Sequence, residues 1–392
     1  MTDNFPNGNG FGRDEDKFTD KSEDNASEEK QESGCKPYGQ NSGANQPYYG
    51  QGYPPGGYYA RKPSLIKRMT VFFTDRDILP LSMASIAASV AIVLFRIFGS
   101  MFSSFIQLQP VVRALYEENY TFSMVAGMLY SLIGVGGTFF IAYLILKRFV
   151  DFTIPAGAPR KNSGVGYLVL AGLGICYVGN VAVSYMMSAL ASVGISSYSY
   201  EAALTEAQPL PENAFGAICT VMYMAVFPAF FEEIAFRGVV MQPLRKYGDW
   251  FAIIVSAVMF GLVHGNIMQI PFAIVAGIAL GYSSVVTGSL RTGMLIHFLN
   301  NFLSVIYSWA RTGLSDRANM IFSPVFTYGI IVIGLVALAG YAYKNPDMLR
   351  LYPKKNRALS DKKLIAVYFL MPSMVIALVL LMNYILSDIV VR

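Results

Sequence analysis

The chain has 392 residues, of which 54% are hydrophobic and only 14% charged, with a formal net charge of +5. An average soluble domain carries about 25% charged residues, so the composition excludes an ordinary soluble protein and indicates an integral membrane protein. Its scattered cysteines, Cys35, Cys176 and Cys219, exclude a disulfide framework and a thiolate metal site.

Residues 1–60 are predicted to form a disordered cytoplasmic tail, followed by a membrane domain over residues 61–392. The tail begins polar and acidic and continues, from Pro37 to Tyr59, rich in Gly, Gln, Asn, Pro and Tyr. Neither part has enough apolar side chains to offset the entropy of ordering. Met1 to Lys30 contains no apolar segment typical of a secretory signal peptide, so we expect the first transmembrane helix to direct insertion.

Beyond Arg68 the chain consists of apolar runs of about 20 residues, the length that crosses a bilayer core at about 1.5 Å per residue. This pattern predicts an all-α, polytopic transmembrane helical bundle of about eight to nine spans. The expected spans are 78–104, 122–146, 165–192, 214–243, 250–264, 267–287, 292–310, 325–343 and 364–386. The fifth is short and is expected to form a tight hairpin with the sixth.

Lysine and arginine residues concentrate before the first span and in every second loop after it, whereas the third loop carries Glu201, Glu206 and Glu212. By the positive-inside rule, this alternation places the amino terminus in the cytoplasm and the carboxyl terminus outside. We therefore expect a multi-pass protein, located in the cell membrane if the host is bacterial.

Three segments place ionisable or amide side chains inside apolar helices. They are Phe231-Glu232-Glu233-Ile234-Ala235-Phe236-Arg237, Phe260-Gly261-Leu262-Val263-His264 and His297-Phe298-Leu299-Asn300-Asn301. Ionisable groups at membrane depth are costly and are usually retained for function. At about 1.5 Å per residue, four polar positions fall within about 13 Å of one another along the membrane normal. They are Glu232, His264, His297 and Asn301. We interpret the three segments as one catalytic site.

The two adjacent carboxylates are expected to have different roles. Glu233 and Arg237 are four residues apart, which suits a structural ion pair on one helix edge. Glu232 is rotated by about 100° from Glu233 and has no local partner. It is the carboxylate free to act as a general base.

The remaining polar residues complete a hydrolytic site. His264 is expected to hold the attacking water, and His297 and Asn301, four residues apart, to converge as hydrogen-bond donors on an oxyanion. Serine, cysteine and threonine are not placed beside a histidine in a way that suggests a triad. The set therefore predicts amide hydrolysis by activated water with no required cofactor.

Zinc-dependent hydrolysis is the alternative mechanism. Glu232, His264 and His297 could ligate zinc and leave one position open for water. The remaining base would then be Glu233, which Arg237 neutralises, and the chain has no His-Glu-x-x-His motif. Metal-free hydrolysis is therefore favoured.

The patterns Glu-Glu-x-x-x-Arg, Phe-x-x-x-His and His-x-x-x-Asn, in this order on successive helices, resemble the CAAX prenyl protease and bacteriocin-processing family, also called CPBP or Abi. The resemblance covers residues 215–308. It implies about eight spans, a catalytic cavity in the bilayer and endopeptidase activity, with the residue roles given above. The family has been described both as metalloproteases and as glutamate-type proteases, so the resemblance leaves zinc open.

Other functional classes make different predictions. A transporter or channel using the same polar set would show inverted repeats, and the two halves of this sequence show no such similarity. A membrane scaffold or immunity protein has no need of the complete motif set. The expected partners are a peptide or membrane-protein substrate and the lipid bilayer, with no nucleic acid. Arg96, in the first span, is interpreted as snorkelling or pairing locally.

Overall fold

The computed structural model describes residues 78–205, 210–351 and 360–391, so the tail predicted over residues 1–60 lies outside the described residues. The described chain is almost entirely helical. Its helices are α1 (Leu79–Leu108), α2 (Pro110–Glu118), α3 (Tyr120–Lys147), α4 (Val165–Ser192), α5 (Tyr198–Thr205), α6 (Ala214–Tyr247), α7 (Asp249–His264), α8 (Gln269–Thr287), α9 (Leu290–Gly313), α10 (Asp316–Lys344), α11 (Asp361–Phe369) and α12 (Pro372–Asp388). Two short strands, β1 (Ile195–Ser197) and β2 (Ile389–Val391), pair antiparallel.

The prediction of an all-α transmembrane bundle is confirmed, but the predicted eight to nine spans exceed the observed number. Within the described residues, six helices are long and apolar enough to cross a bilayer, or seven if the pair α11 and α12, bent by 70°, is one span. The helix α7 has only 16 residues, about 24 Å at 1.5 Å per residue, against a hydrocarbon core of about 30 Å. The helix α9 is long enough, but its polar and charged residues lower its hydropathy.

Two of the long helices contain π-helical turns. In α3 the π-helical segment is Ser131–Gly137, and in α6 the segments are Met222–Val226 and Glu233–Val240. Short π-helical segments inside α-helices occur frequently at functional sites. In α6 the second segment begins at Glu233, so the change in backbone geometry falls between the two adjacent carboxylates.

Glycines allow the helices around α9 to approach one another closely. A Cβ atom added to Gly174 in α4 would lie 2.6 Å from Cα of Gly334 in α10, and one added to Gly277 in α8 would lie 2.9 Å from Cβ of Ala257 in α7. The helix α9 packs against α4, α6 and α8. This packing brings the polar faces of α6, α7 and α9 together inside the bundle.

The carboxyl-terminal helices are attached to the rest of the bundle at both ends. The Ser85 hydroxyl in α1 donates to the backbone carbonyl of Tyr368 in α11. At the other end, the Asp388 carboxylate accepts hydrogen bonds from the Ser199 amide at 3.0 Å and from its hydroxyl at 2.7 Å. The helix α12 therefore packs along α1 as a fixed part of the fold.

Candidate active site

A buried ion pair lies at the centre of the polar cluster. The Arg237 Nη1 donates to Glu233 Oε1 at 2.7 Å, and both side chains are 0% exposed. The same guanidinium donates through Nη2 to the Gly277 carbonyl at 3.2 Å and lies 4.4 Å from the centre of the Phe260 ring. The Arg237 Nε and the Glu233 Oε2 are also buried but make no hydrogen bond within the described residues, so these contacts alone hold the pair in place.

His297 joins the two carboxylates. Its Nδ1 donates to Glu233 Oε1 at 3.0 Å, and its Nε2 lies 3.8 Å from Glu232 Oε2. Glu232, His297, Glu233 and Arg237 therefore form a row in which acidic and basic groups alternate. Glu233 is fully buried, whereas the Glu232 side chain is 22% exposed, so Glu232 is the carboxylate that faces open space.

The Phe260 ring contacts both histidines. It packs edge-on against His264 at 4.8 Å between centroids and against His297 at 6.0 Å. Among the described residues, the side chain of His264 has no carboxylate within 4.0 Å. The structure thus brings Glu232, Glu233 and Arg237 into one row with His297, and His264 meets this row through the Phe260 ring.

The tautomer of His264 follows from its contact with its own helix. Its Nδ1 lies 2.7 Å from the carbonyl oxygen of Phe260, which can only accept, so Nδ1 carries the hydrogen. In the neutral ring Nε2 is then an acceptor. The next residue, Gly265, ends α7 with a positive φ of 76°, which fixes the end of the helix directly after the histidine.

Asn301 is attached to α6 through the backbone. Its Nδ2 donates to the Met224 carbonyl at 3.0 Å, within the first π-helical segment of that helix. The Asn301 Oδ1 accepts from Asn300 Nδ2 at 3.0 Å. One N–H of Asn301 remains for another acceptor, because a carboxamide nitrogen has two hydrogens.

The arrangement does not fit a three-ligand metal site. No group of three His, Cys, Asp or Glu side chains within residues 78–205, 210–351 and 360–391 is arranged to hold a metal ion. Glu233 Oε1 is already shared between Arg237 and His297, and both imidazoles pack edge-on against the Phe260 ring. Glu232, His264 and His297 are therefore not arranged as a three-ligand zinc site in the described part of the chain.

Sequence reasoning missed several groups that complete the site. The carbonyls of Met224 and Gly277 and the bare backbone of Gly293 lie outside the three motifs, whereas the ring of Phe260 belongs to the Phe-x-x-x-His motif. A Cβ atom added to Gly293 would lie 2.9 Å from Glu233 Oε2 and 2.8 Å from Ser284 Oγ. Backbone carbonyls carry no sequence signal, so the contacts of Gly277 and Met224 become apparent only in the structure.

An apolar cavity of about 450 Å³ lies next to the carboxylates, between the π-helical part of α3 and the second half of α6. The α6 residues that line it include Phe231 and Ile234, which flank Glu232 and Glu233. Gly136 leaves room for this arrangement, because a Cβ atom there would lie 2.9 Å from the Phe231 ring. The exposed side chains of Leu132 and Phe140 also line this cavity, so it opens toward the outside of the bundle, and none of the polar side chains of the cluster lines it.

One family model matches the part of the chain that carries this polar cluster. Residues 214–303 match the family model described as type II CAAX prenyl endopeptidase Rce1-like, less than a quarter of the chain. The match extends from the start of α6 into α9 and includes every polar residue described above. The comparisons with curated proteins and with solved structures found no match. The chain is therefore an integral membrane protein in which residues 214–303 are similar to the Rce1-like family, a match consistent with a CPBP-family intramembrane protease.

Proposed function

We propose that the protein hydrolyses peptide bonds with a water molecule activated by Glu232 and His264, inside the membrane. The Rce1-like domain supports a CAAX-protease-like intramembrane endopeptidase. The observation that best supports the finer mechanism is the row Glu232, His297, Glu233 and Arg237, with successive separations of 3.8, 3.0 and 2.7 Å. In this row Glu233 is held by two partners and has a structural role, whereas Glu232 remains free to act on water.

Glu232 is the proposed general base. It faces open space and has no arginine or lysine partner among the described residues, whereas Glu233 is used by two partners. The Nε2 of neutral His264 can accept one hydrogen of a water whose other hydrogen points to Glu232. A base and an acceptor that share one water orient its oxygen for attack.

His297 and Asn301 are the proposed oxyanion donors. Since His297 Nδ1–H donates to Glu233, Nε2 can donate only when both ring nitrogens carry hydrogen. The imidazolium makes the row Glu232⁻, His297⁺, Glu233⁻ and Arg237⁺ neutral overall, which reduces the cost of holding it in the membrane. Asn301 contributes its second N–H.

The reaction follows from these roles. Glu232 takes a proton from the water as its oxygen bonds to the scissile carbonyl carbon. The carbonyl oxygen becomes an oxyanion next to His297 and Asn301, which stabilise it by hydrogen bonds. On collapse, the C–N bond breaks and Glu232 returns the proton to the leaving amine, so proton and electron pairs balance without a covalent enzyme intermediate.

The substrate is a peptide or a membrane protein that reaches Glu232 from the cytoplasm or from the inner leaflet. This direction of access is supported by the loops rich in lysine and arginine, which are expected on the cytoplasmic side, and by the buried position of the site. We place the amino terminus in the cytoplasm, and the protein in the cell membrane if the host is bacterial. No cofactor is required in this mechanism, and zinc bound by Glu232, His264 and His297 is the alternative.

The experiment is cleavage of a membrane-anchored peptide by the purified full-length protein in liposomes, with products identified by mass. The wild type is expected to cleave, and Glu232→Ala to show no cleavage while eluting as a folded protein. Dialysis against a strong chelator should change turnover little. Inactivation by the chelator, reversed by stoichiometric zinc, would replace the metal-free mechanism with the zinc alternative.

A further inference from the structure

Two successive asparagines, Asn300 and Asn301, lie side by side in α9, and only Asn301 has a role in the proposed mechanism. Asn301 is partly exposed, whereas Asn300 is 6% exposed and is therefore not placed to touch a substrate. The Asn300 side chain is nevertheless connected to the candidate site, because its Nδ2 donates to Asn301 Oδ1 at 3.0 Å. The function of this buried amide follows from that bond.

The hydrogen bond joins two neighbours that a regular helix points apart. Successive residues of an α-helix are rotated by about 100°, so their side chains do not normally face each other. Both asparagines must lean toward the gap between them for their amide groups to meet at 3.0 Å. The contact is therefore a specific arrangement of two side chains and does not result from helical geometry alone.

The direction of both amides follows from one backbone group of α6. The Met224 carbonyl can only accept, so the Asn301 atom that lies 3.0 Å from it is the donor Nδ2. Asn301 Oδ1 then faces Asn300, which presents its own Nδ2 as the donor. The terminal torsion of an asparagine has a broad energy minimum, so one hydrogen bond leaves the amide plane free to turn. Two bonds, one at each end, fix the plane and the direction of the second Asn301 N–H.

A structural role does not account for Asn300. Its Nδ2 bonds only to the next residue of the same helix, so its side chain makes no hydrogen bond to another helix within the described residues. Its Oδ1 is buried there without a hydrogen-bond partner. A buried acceptor that lacks a donor lowers stability, which an apolar residue at this position would not do. Unpaired polar groups of this kind require a functional explanation.

We infer that Asn300 is a positioning residue, which orients the Asn301 amide so that its second N–H points at the oxyanion. This inference rests on the proposed peptidase function and adds to it a residue that acts only through Asn301. Oxyanion donors are effective because they are fixed in place before the charge develops. Without Asn300, Asn301 keeps its bond to the Met224 carbonyl, but its second N–H loses its fixed direction.

The test is a double-mutant cycle on the two asparagines, measured as cleavage of a membrane-anchored peptide by the full-length protein in liposomes. Asn301→Ala should lower kcat by about 100- to 1000-fold and Asn300→Ala by about 10- to 100-fold, each with little change in KM. The double variant should match Asn301→Ala within about twofold, because Asn300 acts through Asn301. The melting temperature of Asn300→Ala should equal or exceed that of the wild type, since alanine favours the helix and removes the unpaired acceptor.

Thr292→Val is the matched control. Thr292 also lies in α9, is 1% exposed and has a buried oxygen without a hydrogen-bond partner in the described part of the chain. This variant should keep the wild-type kcat. If Asn300→Ala does not fold, Asn300→Leu, which keeps a branched side chain without polar atoms, takes its place in the same cycle.

Three results would overturn the inference while leaving the proposed function in place. They are a wild-type kcat in Asn300→Ala, additive losses of kcat in the double variant, and a fall in kcat that is accompanied by a clear fall in melting temperature. A wild-type kcat in Asn301→Ala would instead refute the oxyanion role of Asn301, and the inference with it. If the wild type cleaved no peptide, the proposed peptidase function itself would fail.

Discussion

One carboxylate oxygen, Oε1 of Glu233, accepts hydrogen bonds from Arg237 at 2.7 Å and from His297 Nδ1 at 3.0 Å. The ion pair thus extends into α9 and sets the orientation of an imidazole whose other nitrogen points to Glu232. An acidic partner on one ring nitrogen fixes the protonation and direction of the other. Glu233 is itself fully buried, and it therefore influences the candidate site by orienting the His297 ring.

The two adjacent carboxylates should respond differently to substitution. Glu232→Ala should abolish cleavage and leave thermal stability in detergent close to that of the wild type, because Glu232 is partly exposed and joined only to His297, at 3.8 Å. Glu233→Ala and Arg237→Ala should each unfold more easily, since removal of one partner leaves a buried charge, at a cost of about 3–5 kcal/mol. Equal losses of stability in all three variants would contradict the assignment.

The two histidines should both be needed for turnover but not equally for stability. His264→Ala and His297→Ala should each lower kcat by about two to three orders of magnitude, through loss of the water contact or of the oxyanion donor. Only His297→Ala should also lower the melting temperature clearly, because it removes a buried partner of Glu233. A His264→Ala variant with nearly wild-type kcat would remove that residue from the mechanism.

Gly293 should tolerate no side chain. An alanine methyl group there would meet Ser284 Oγ at 2.8 Å and Glu233 Oε2 at 2.9 Å, so Gly293→Ala should displace the carboxylate and cost about 1–3 kcal/mol, with a fall in turnover. The matched control is Gly313→Ala in the same helix, since a Cβ atom there meets nothing within 4 Å. That variant should behave like the wild type. Unchanged stability and unchanged turnover in Gly293→Ala would show that the Glu233 carboxylate can move without cost.

The topology can be tested by cysteine labelling. In a cysteine-free parent lacking Cys35, Cys176 and Cys219, which we expect to stay active, cysteines at Arg148 and Lys246 should react with impermeant reagents only from the cytoplasmic side. Lys354 should behave in the same way, and Glu206 should react only from outside; both positions lie outside the described residues. Labelling of Glu206 from the cytoplasm would invert the predicted orientation.

Much of the fold could be predicted from the spacing of apolar runs alone. The predicted spans 165–192 and 267–287 agree closely with α4 and α8, because helices of this length and hydrophobicity have few alternatives in a bilayer. The number of spans was overestimated because α7 is short and α9 is polar. A sequence window also does not reveal the 70° bend between α11 and α12 or the π-helical turn that begins at Glu233.

The sequence by itself determined the membrane class, the helical bundle and the polar residues worth considering, because hydrophobic length and intramembrane charge are local properties of the chain. Only the tertiary structure decided which of those residues meet. The contact between Phe260 and His297 and the shared oxygen of Glu233 each join different helices. Helical periodicity relates residues within one helix, whereas contacts between helices depend on packing, rotation and backbone distortion that no single segment encodes.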